Sequence, residues 1–345
     1  MHHSDLSRSL KLVAIGGGTG LSTLLAGLKR FVGSRAEGVW LESLSAIVTV
    51  SDDGGSSGRL REELQMLPPG DIRNCMIALS EDSNLLSRLF RYRFRGSGDL
   101  AGHSFGNLFL AALTEVTGDF VEAVRLSSEV LASKGHIFPA TINDVRLIAE
   151  LEDGREVLGE TQITAARSPI RRLRLTPEHC LPLPDAIAAI RAADVITVGP
   201  GSLYTSIVPN LLVSSVADAI AESVATRIFI ANLMTQPGET DGYDVRRHLE
   251  AVKRYAPQIR FDYVIVNDRA VNDDQALLYS ADGAFQVLLD HEANGIDPDI
   301  EVVRADLLKA GEMVRHDSER LAGVVIACAA RGHSERVAEP VTSNS

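Results

Sequence analysis

Apolar and polar positions along this 345-residue chain switch repeatedly between two periods. Short, almost unbroken apolar runs predict buried strands at 12–15, 45–50, 193–198, 227–232, 263–267 and 300–304. Between them the spacing turns helical. Leu21, Leu24, Leu25, Leu28 and Phe31 mark one buried face of a helix over 21–31, and similar stretches cover 184–192 and 243–255. Strands alternating with helices predict an α/β fold, Rossmann-like, with a mostly parallel sheet and helices on both faces. The pattern breaks between 136 and 176. There, 145–151 and 155–161 flank an Asp153-Gly154 turn, a hairpin signature, and 170–175 adds a further strand. The segment reads as a small β insertion within one domain over 11–330. Residues 1–10 read as a flexible N-terminus, and the polar, aperiodic stretch 331–345 as a disordered tail.

The first strand runs into Gly16, Gly17, Gly18, Thr19 and Gly20 before the helix begins. Glycine lets the backbone approach a ligand closely, because no Cβ stands in the way. The free N–H groups and positive dipole end of the following helix then point at the turn, where a phosphate is favoured. The loop departs from the dinucleotide fingerprint: the third glycine of G-x-G-x-x-G, read from Gly16, falls on Leu21. A Walker loop is excluded, since no Gly-Lys-Ser or Gly-Lys-Thr follows.

The second strand ends in Asp52 and Asp53, followed by Gly54 to Gly58, Arg59 and Arg61. The two carboxylates can receive ribose hydroxyls or hold Mg²⁺ against a phosphate, and the arginines can reach an anion. Asp71, in Pro-Pro-Gly-Asp, reads as a helix N-cap. His103 is a lone titratable group, whereas Asn107 offers an amide beside glycine for a phosphate or a ring hydroxyl. Gly199, Gly201, Ser202 and Tyr204 lie in a segment that repeats the design of the first loop. Two such loops at the carboxyl ends of parallel strands form two walls of one cleft. Asn232 and the pair Asn267-Asp268 place polar residues at further strand ends.

Composition narrows the options. A net charge of −12 argues against a nucleic-acid or anionic-membrane surface. Three scattered cysteines make neither a disulfide framework nor a Cys-rich metal site. No apolar run reaches the ~18 residues of a membrane span, and no signal-peptide core opens the chain. These features predict a cytoplasmic, reduced protein. G-x-S-x-G and H-E-x-x-H are absent, so serine-hydrolase and zinc-protease chemistry lack support.

Taken together, Gly16-Gly-Gly-Thr-Gly-Leu, Ser51-Asp-Asp-Gly-Gly-Ser-Ser-Gly-Arg-Leu-Arg, Pro69-Gly-Asp-Ile-Arg-Asn, His103-Ser-Phe-Gly-Asn-Leu, Gly118-Asp-Phe and Gly199-Pro-Gly-Ser-Leu-Tyr-Thr-Ser-Ile resemble the YvcK-type gluconeogenesis factors. The superfamily also holds CofD, the 2-phospho-L-lactate transferase. The resemblance implies a cytoplasmic protein needed for cell shape and for growth on gluconeogenic carbon sources. It implies binding of UDP-glucose or UDP-N-acetylglucosamine, with no resident cofactor and no established catalytic activity. Tyr279 and Arg315 match the family's nucleotide-sugar contacts, and Ser318 resembles a threonine phosphorylated by Ser/Thr kinases in relatives. Envelope-synthesis proteins are the implied partners, and self-association is left open. Two rival readings stand beside this one: a CofD-like Mg²⁺-dependent phosphotransferase using Asp52 and Asp53, and a nicotinamide-nucleotide sensor or oxidoreductase.

Overall fold

The computed structural model describes residues 8–34, 39–81, 84–289 and 295–338. Strands β1 (Arg8–Gly16), β2 (Val39–Val48) and β3 (His136–Pro139) come first. β4 (Arg146–Leu151), β5 (Glu156–Leu158) and β6 (Ile170–Thr176) follow, then β7 (Val195–Val198), β8 (Thr226–Ile230), β9 (Tyr263–Asn267) and β10 (Glu301–Ala305). Seven of them form one sheet in the order β10-β9-β8-β7-β1-β2-β3, and all its pairings are parallel. β1 is the pivot, with Leu12 opposite Leu44 on one side and Val195 on the other.

The chain steps outward from β1 to β2 and β3, then returns to β7 on the opposite flank of β1. Right-handed crossovers in two opposite directions lay their helices on opposite faces. Strands covered on both faces lose the polar alternation, and Ile15, Ile47, Ile196, Ile228 and Ile265 are all buried. Helix α1 (Gly18–Leu28) packs on one face between the helix Gly70–Leu79 and the long helix Ser318–Ala338. The reversal of direction leaves a switch point between β1 and β7, where open α/β sheets bind their ligands beyond the strand ends.

Four expectations at element edges are corrected. Residues 136–139 belong to the main sheet, because His136 to Pro139 pair with Ser45 to Val48. The inserted antiparallel sheet, in the order β5-β4-β6, therefore starts later. Its second strand stops at Leu158, and residues 160–166 fold as a helix instead. β1 starts at Arg8, inside the expected flexible segment, since Arg8 to Leu10 pair with Val39 to Leu41. The final helix runs past 331 to Ala338, as Cys328 and Ala329 are buried and Gly332 sits against Thr226. Residues 1–7 and 339–345 lie outside the described residues. Among those described, no single helix is long and apolar enough to cross a membrane; one bent helix pair, Leu203–Leu212 with Val216–Glu222, passes by length and composition only.

Candidate functional site

Both glycine loops leave the switch point, one from β1 and one from β7. α1 starts at Gly18, and its N-cap, Gly17, supplies no side-chain cap. Its first N–H groups are therefore open to a partner from elsewhere. The second loop lies directly against this turn. A Cβ on Gly20 would stand 2.7 Å from the Pro200 carbonyl carbon and 2.9 Å from Gly201 Cα. One on Gly17 would meet Thr49 Cγ2 at 2.7 Å and Asp71 Oδ2 at 2.8 Å. Side chains from farther away pin the arrangement. Buried Asn210 donates from Nδ2 to the Gly16 carbonyl at 3.0 Å and to that of Ser206 at 2.7 Å. The Gly201 N–H donates to Asn232 Oδ1 at 3.3 Å. Ser202 Oγ accepts from Gln236 Nε2 at 2.6 Å.

Opposite the loops stands a wall of carboxylates. Asp71 meets the Gly18 N–H, so an internal carboxylate already faces the start of α1. Burial raises its pKa from 3.8 to about 7, helped by the charge of Asp52, while the Gly18 N–H and Arg73 pull the other way. Glu160, from the inserted helix Glu160–Ala166, is pushed well above its ordinary range by burial, then by Asp52, Asp71, Glu239 and Asp53. Glu239 is buried, its Oε2 has no hydrogen-bond partner, and burial raises its pKa to about 7. Arg73 is the cation beside this wall, donating to Asn107 Oδ1 at 2.9 Å and Asn74 Oδ1 at 2.7 Å.

The residues singled out in the sequence separate into three groups. Gly16, Gly17, Gly18, Gly20, Gly199, Gly201, Ser202 and Asn232 meet at the switch point, and Thr19 stands exposed on the first turn of α1. Asp52 joins the acid wall, with Oδ1 accepting from the Gly54 N–H at 2.8 Å. A second group serves the frame of the cleft. Asp53 Oδ1 accepts from the Thr161 N–H at 2.9 Å and the Thr161 hydroxyl at 2.7 Å, tying the insertion to the β2 end. Asn107 is buried, donating to Ser56 Oγ at 3.1 Å while accepting from Arg73. Arg59 donates to the Ala101 carbonyl at 2.7 Å. Arg61 is buried in an ion pair with Asp144, away from any anion site. His103 Nδ1 pairs with Ser56 Oγ at 3.1 Å.

Tyr204 is the clearest correction. The π-helical turn Leu203–Ile207 buries every side chain it carries, so Tyr204 faces the core. Its hydroxyl lies 3.0 Å from that of Tyr243, and its ring meets Tyr255 edge-on. Tyr279 and Arg315 occupy a third location, on segments leaving β9 and β10. The Tyr279 hydroxyl accepts from the Val314 N–H at 3.1 Å, and Arg315 is exposed beside it. β9 and β10 stand two and three strands out from β7, roughly 10 and 14 Å at ordinary strand spacing. Ser318 begins the last helix, but Asp317 caps it, accepting from the N–H groups of Glu319 and Arg320, each at 3.0 Å. The Ser318 backbone packs on Gly27, nine residues or about 13 Å along α1 from Gly18.

Asp71 is the functional candidate that sequence reasoning misassigned. Pro69 is the N-cap of its helix and Gly70 the first residue, which frees Asp71 to turn to α1. Glu160, Glu239, Gln236 and Asn210 carry no local signal, because only the tertiary fold brings them to the loops.

Fold and site together define a doubly wound α/β protein with a cleft between two glycine loops at its switch point. A family model described as 2-phospho-L-lactate transferase CofD matches residues 12–308. The chain belongs to this CofD family. It is 44% identical over 320 residues to the gluconeogenesis factor of Bacillus subtilis, covering 92% of this chain and 97% of that one. With the gluconeogenesis factor of Halalkalibacterium halodurans the identity is 42% over 318 residues, covering 91% and 95%. A crystal structure of a Bacillus halodurans protein superposes with a TM-score of 0.86 at 42% identity, covering 92% of this chain and all of that one.

Proposed function

We propose that the cleft binds a UDP-sugar, with UDP-glucose and UDP-N-acetylglucosamine as the candidates. We further propose that the protein is a regulator linking carbon flux to envelope synthesis during growth on gluconeogenic carbon sources. The observation that carries the binding reading is the pair of glycine loops in backbone contact, with the start of α1, where Asp71 meets the Gly18 N–H, between them. A pyrophosphate suits those N–H groups. Asn232, Ser202 and the carboxylate of Asp52 suit ribose and sugar hydroxyls. Arg315 adds a charge-assisted partner for phosphate, and the Tyr279 ring a face for uracil. The names of the Bacillus subtilis and Halalkalibacterium halodurans relatives support the gluconeogenic role. Envelope-synthesis proteins are the proposed partners, and phosphorylation of Ser318 by a Ser/Thr kinase the proposed input, in a cytoplasmic setting.

A second reading is favoured by the family name and by the facing of Asp52 and Asp71. Mg²⁺ commonly takes one or two carboxylates plus substrate phosphate oxygens. The pair Asp52–Asp53 suits that use poorly, since Asp53 is occupied by Thr161. Asp52 with Asp71 suits it better, and a metal held there would neutralise charge on a transferring phosphoryl group.

Calorimetric titration with UDP-N-acetylglucosamine, UDP-glucose, UDP, GDP and NAD, with Mg²⁺ and then with a chelator, tests both readings. Saturable UDP-sugar binding without product supports the regulator. Binding lost to the chelator, with turnover of a nucleotide-linked phosphodiester, supports the transferase.

A further inference from the structure

Three arginines converge on the segment 101–107, each from a different part of the chain. Arg59, on the helix Gly55–Leu64, donates from Nη2 to the Ala101 carbonyl at 2.7 Å. Arg93, just after the helix Asn84–Arg91, donates from Nη1 to the next carbonyl, that of Gly102. Arg73, on the helix Gly70–Leu79, lies against Gly106, where a Cβ would stand 2.8 Å from its Cδ. All their acceptors, the Asn74 and Asn107 side chains included, are neutral oxygens. Among the described residues none of the three forms an ion pair. Like charges gathered without partners repel one another. Burial, and then the charge of Arg93, holds the Arg73 guanidinium below its ordinary pKa, with Asp71 and Asp52 opposing. Buried His103 is lowered too, by burial and then Arg59, while Glu63 opposes and Arg93 adds. Asp99 and Arg95, one charge of each sign, are exposed in the loop between Arg93 and Ala101. Arg73 Nε is buried with no hydrogen-bond partner, and a buried donor without an acceptor is costly. The helix Phe105–Thr117 starts within the cluster, so its positive end adds to the charge.

We propose that Arg59, Arg73 and Arg93, with the start of the helix Phe105–Thr117, form a second anion site that takes a phosphate dianion, free or as a monoester. The site is distinct from the glycine loops. Asp71 and Arg73 lie two residues apart on one helix, about 200° around its axis. Asp71 turns to Gly18 and Arg73 to Gly106. A chain of net charge −12 repels anions as a whole, so local cations must hold one. Each guanidinium carries five donors. Arg59 and Arg93 each commit one to a carbonyl, which leaves others for phosphate oxygens. Arg93 is exposed and Arg59 half-buried, so the cluster is open to a ligand. A dianion there offsets the repulsion among the three cations. The assignment does not depend on UDP-sugar binding.

Calorimetric titration of the full chain with inorganic phosphate, and separately with glycerol 3-phosphate, tests this, each with and without saturating UDP. Saturable phosphate binding that survives UDP is expected. Arg93→Gln and Arg59→Gln are each expected to weaken it at least about tenfold, the effect of losing one hydrogen bond to a charged group. UDP affinity is expected to be unchanged in Arg93→Gln. Phosphate is expected to raise the parent's unfolding temperature, as a ligand of the native state does, and to leave that of Arg93→Gln unmoved. Circular dichroism shows whether each variant is folded. Tighter binding of glycerol 3-phosphate identifies the ester as the ligand, and equal binding identifies phosphate itself. A chain that takes phosphate but not UDP contradicts the UDP-sugar reading and supports this one. Absence of saturable phosphate binding, displacement of phosphate by UDP, or parent-like phosphate affinity in both folded variants overturns the proposal.

Discussion

Gly20 and Pro200 touch backbone to backbone across the switch point. A Cβ on Gly20 would come within 2.7 Å of the Pro200 carbonyl carbon. The two loops are thereby held as one surface. Gly20→Ala is expected to push them apart at a cost of about 1–3 kcal/mol, the usual range for overpacking. Urea denaturation reads the loss, and titration with UDP reads a weakened site. Parent-like stability would show that the loops can separate without cost.

Asp71 meets the Gly18 N–H at the place where a phosphate would bind. With a pKa near 7, it is protonated at pH 6 and ionised at pH 8. An anion bound beside it favours the protonated form. UDP affinity, measured in chelator, is therefore expected to fall as pH rises from 6 to 8, at most about tenfold per unit for one proton. Asp71→Asn is expected to bind with a flatter profile. If Mg²⁺ holds the ligand instead, adding the metal reverses the slope, since ionised Asp71 is the better ligand.

Glu239 is buried, with a folded pKa near 7 against an ordinary value of 4.5. The unfolded chain is then the stronger acid. This group's contribution is fully present below pH 4.5 and is lost as pH rises through 7. Glu239→Gln is expected to remove up to about 1.4 kcal/mol per pH unit of that slope. Thermal unfolding at pH 5 and pH 7.5 measures it, and an unchanged slope would place the titration elsewhere.

Asp53 acts on the insertion. Its carboxylate accepts from both the N–H and the hydroxyl of Thr161, in the first turn of the helix Glu160–Ala166. Asp53→Ala is expected to cost about 1 kcal/mol, as loss of an N-cap does, and to speed limited proteolysis within residues 140–176. Asp53→Asn keeps an acceptor and is expected to retain most of the protection. Equal proteolysis of the two variants would show that charge, not capping geometry, is the cause.

Much of this cleft was legible because its parts are contiguous. Strand, glycine turn and helix follow one another at Gly16–Gly20, and a similar strand and glycine turn recur at Gly199–Gly201. Both therefore announce themselves locally. Tyr204 misled because it directly follows a glycine loop, and only the tight turn at Leu203–Ile207 shows that its ring enters the core. Asp71 misled in the opposite sense, since Pro-Pro-Gly-Asp resembles a capped helix start while the true cap is Pro69. Residues 136–139, His-Ile-Phe-Pro, form a run too short to say which sheet it joins. Their pairing with β2 does. Glu160 and Glu239 reach the acid wall from the insertion and from the segment after β8, a meeting no periodicity encodes.

A crystal structure with UDP-N-acetylglucosamine tests the central claim most directly. The diphosphate is expected against the N–H groups that open α1, between Gly17 and Gly201, with the sugar toward Asn232. A ligand bound outside the switch point, or no ligand at millimolar concentration, would contradict it.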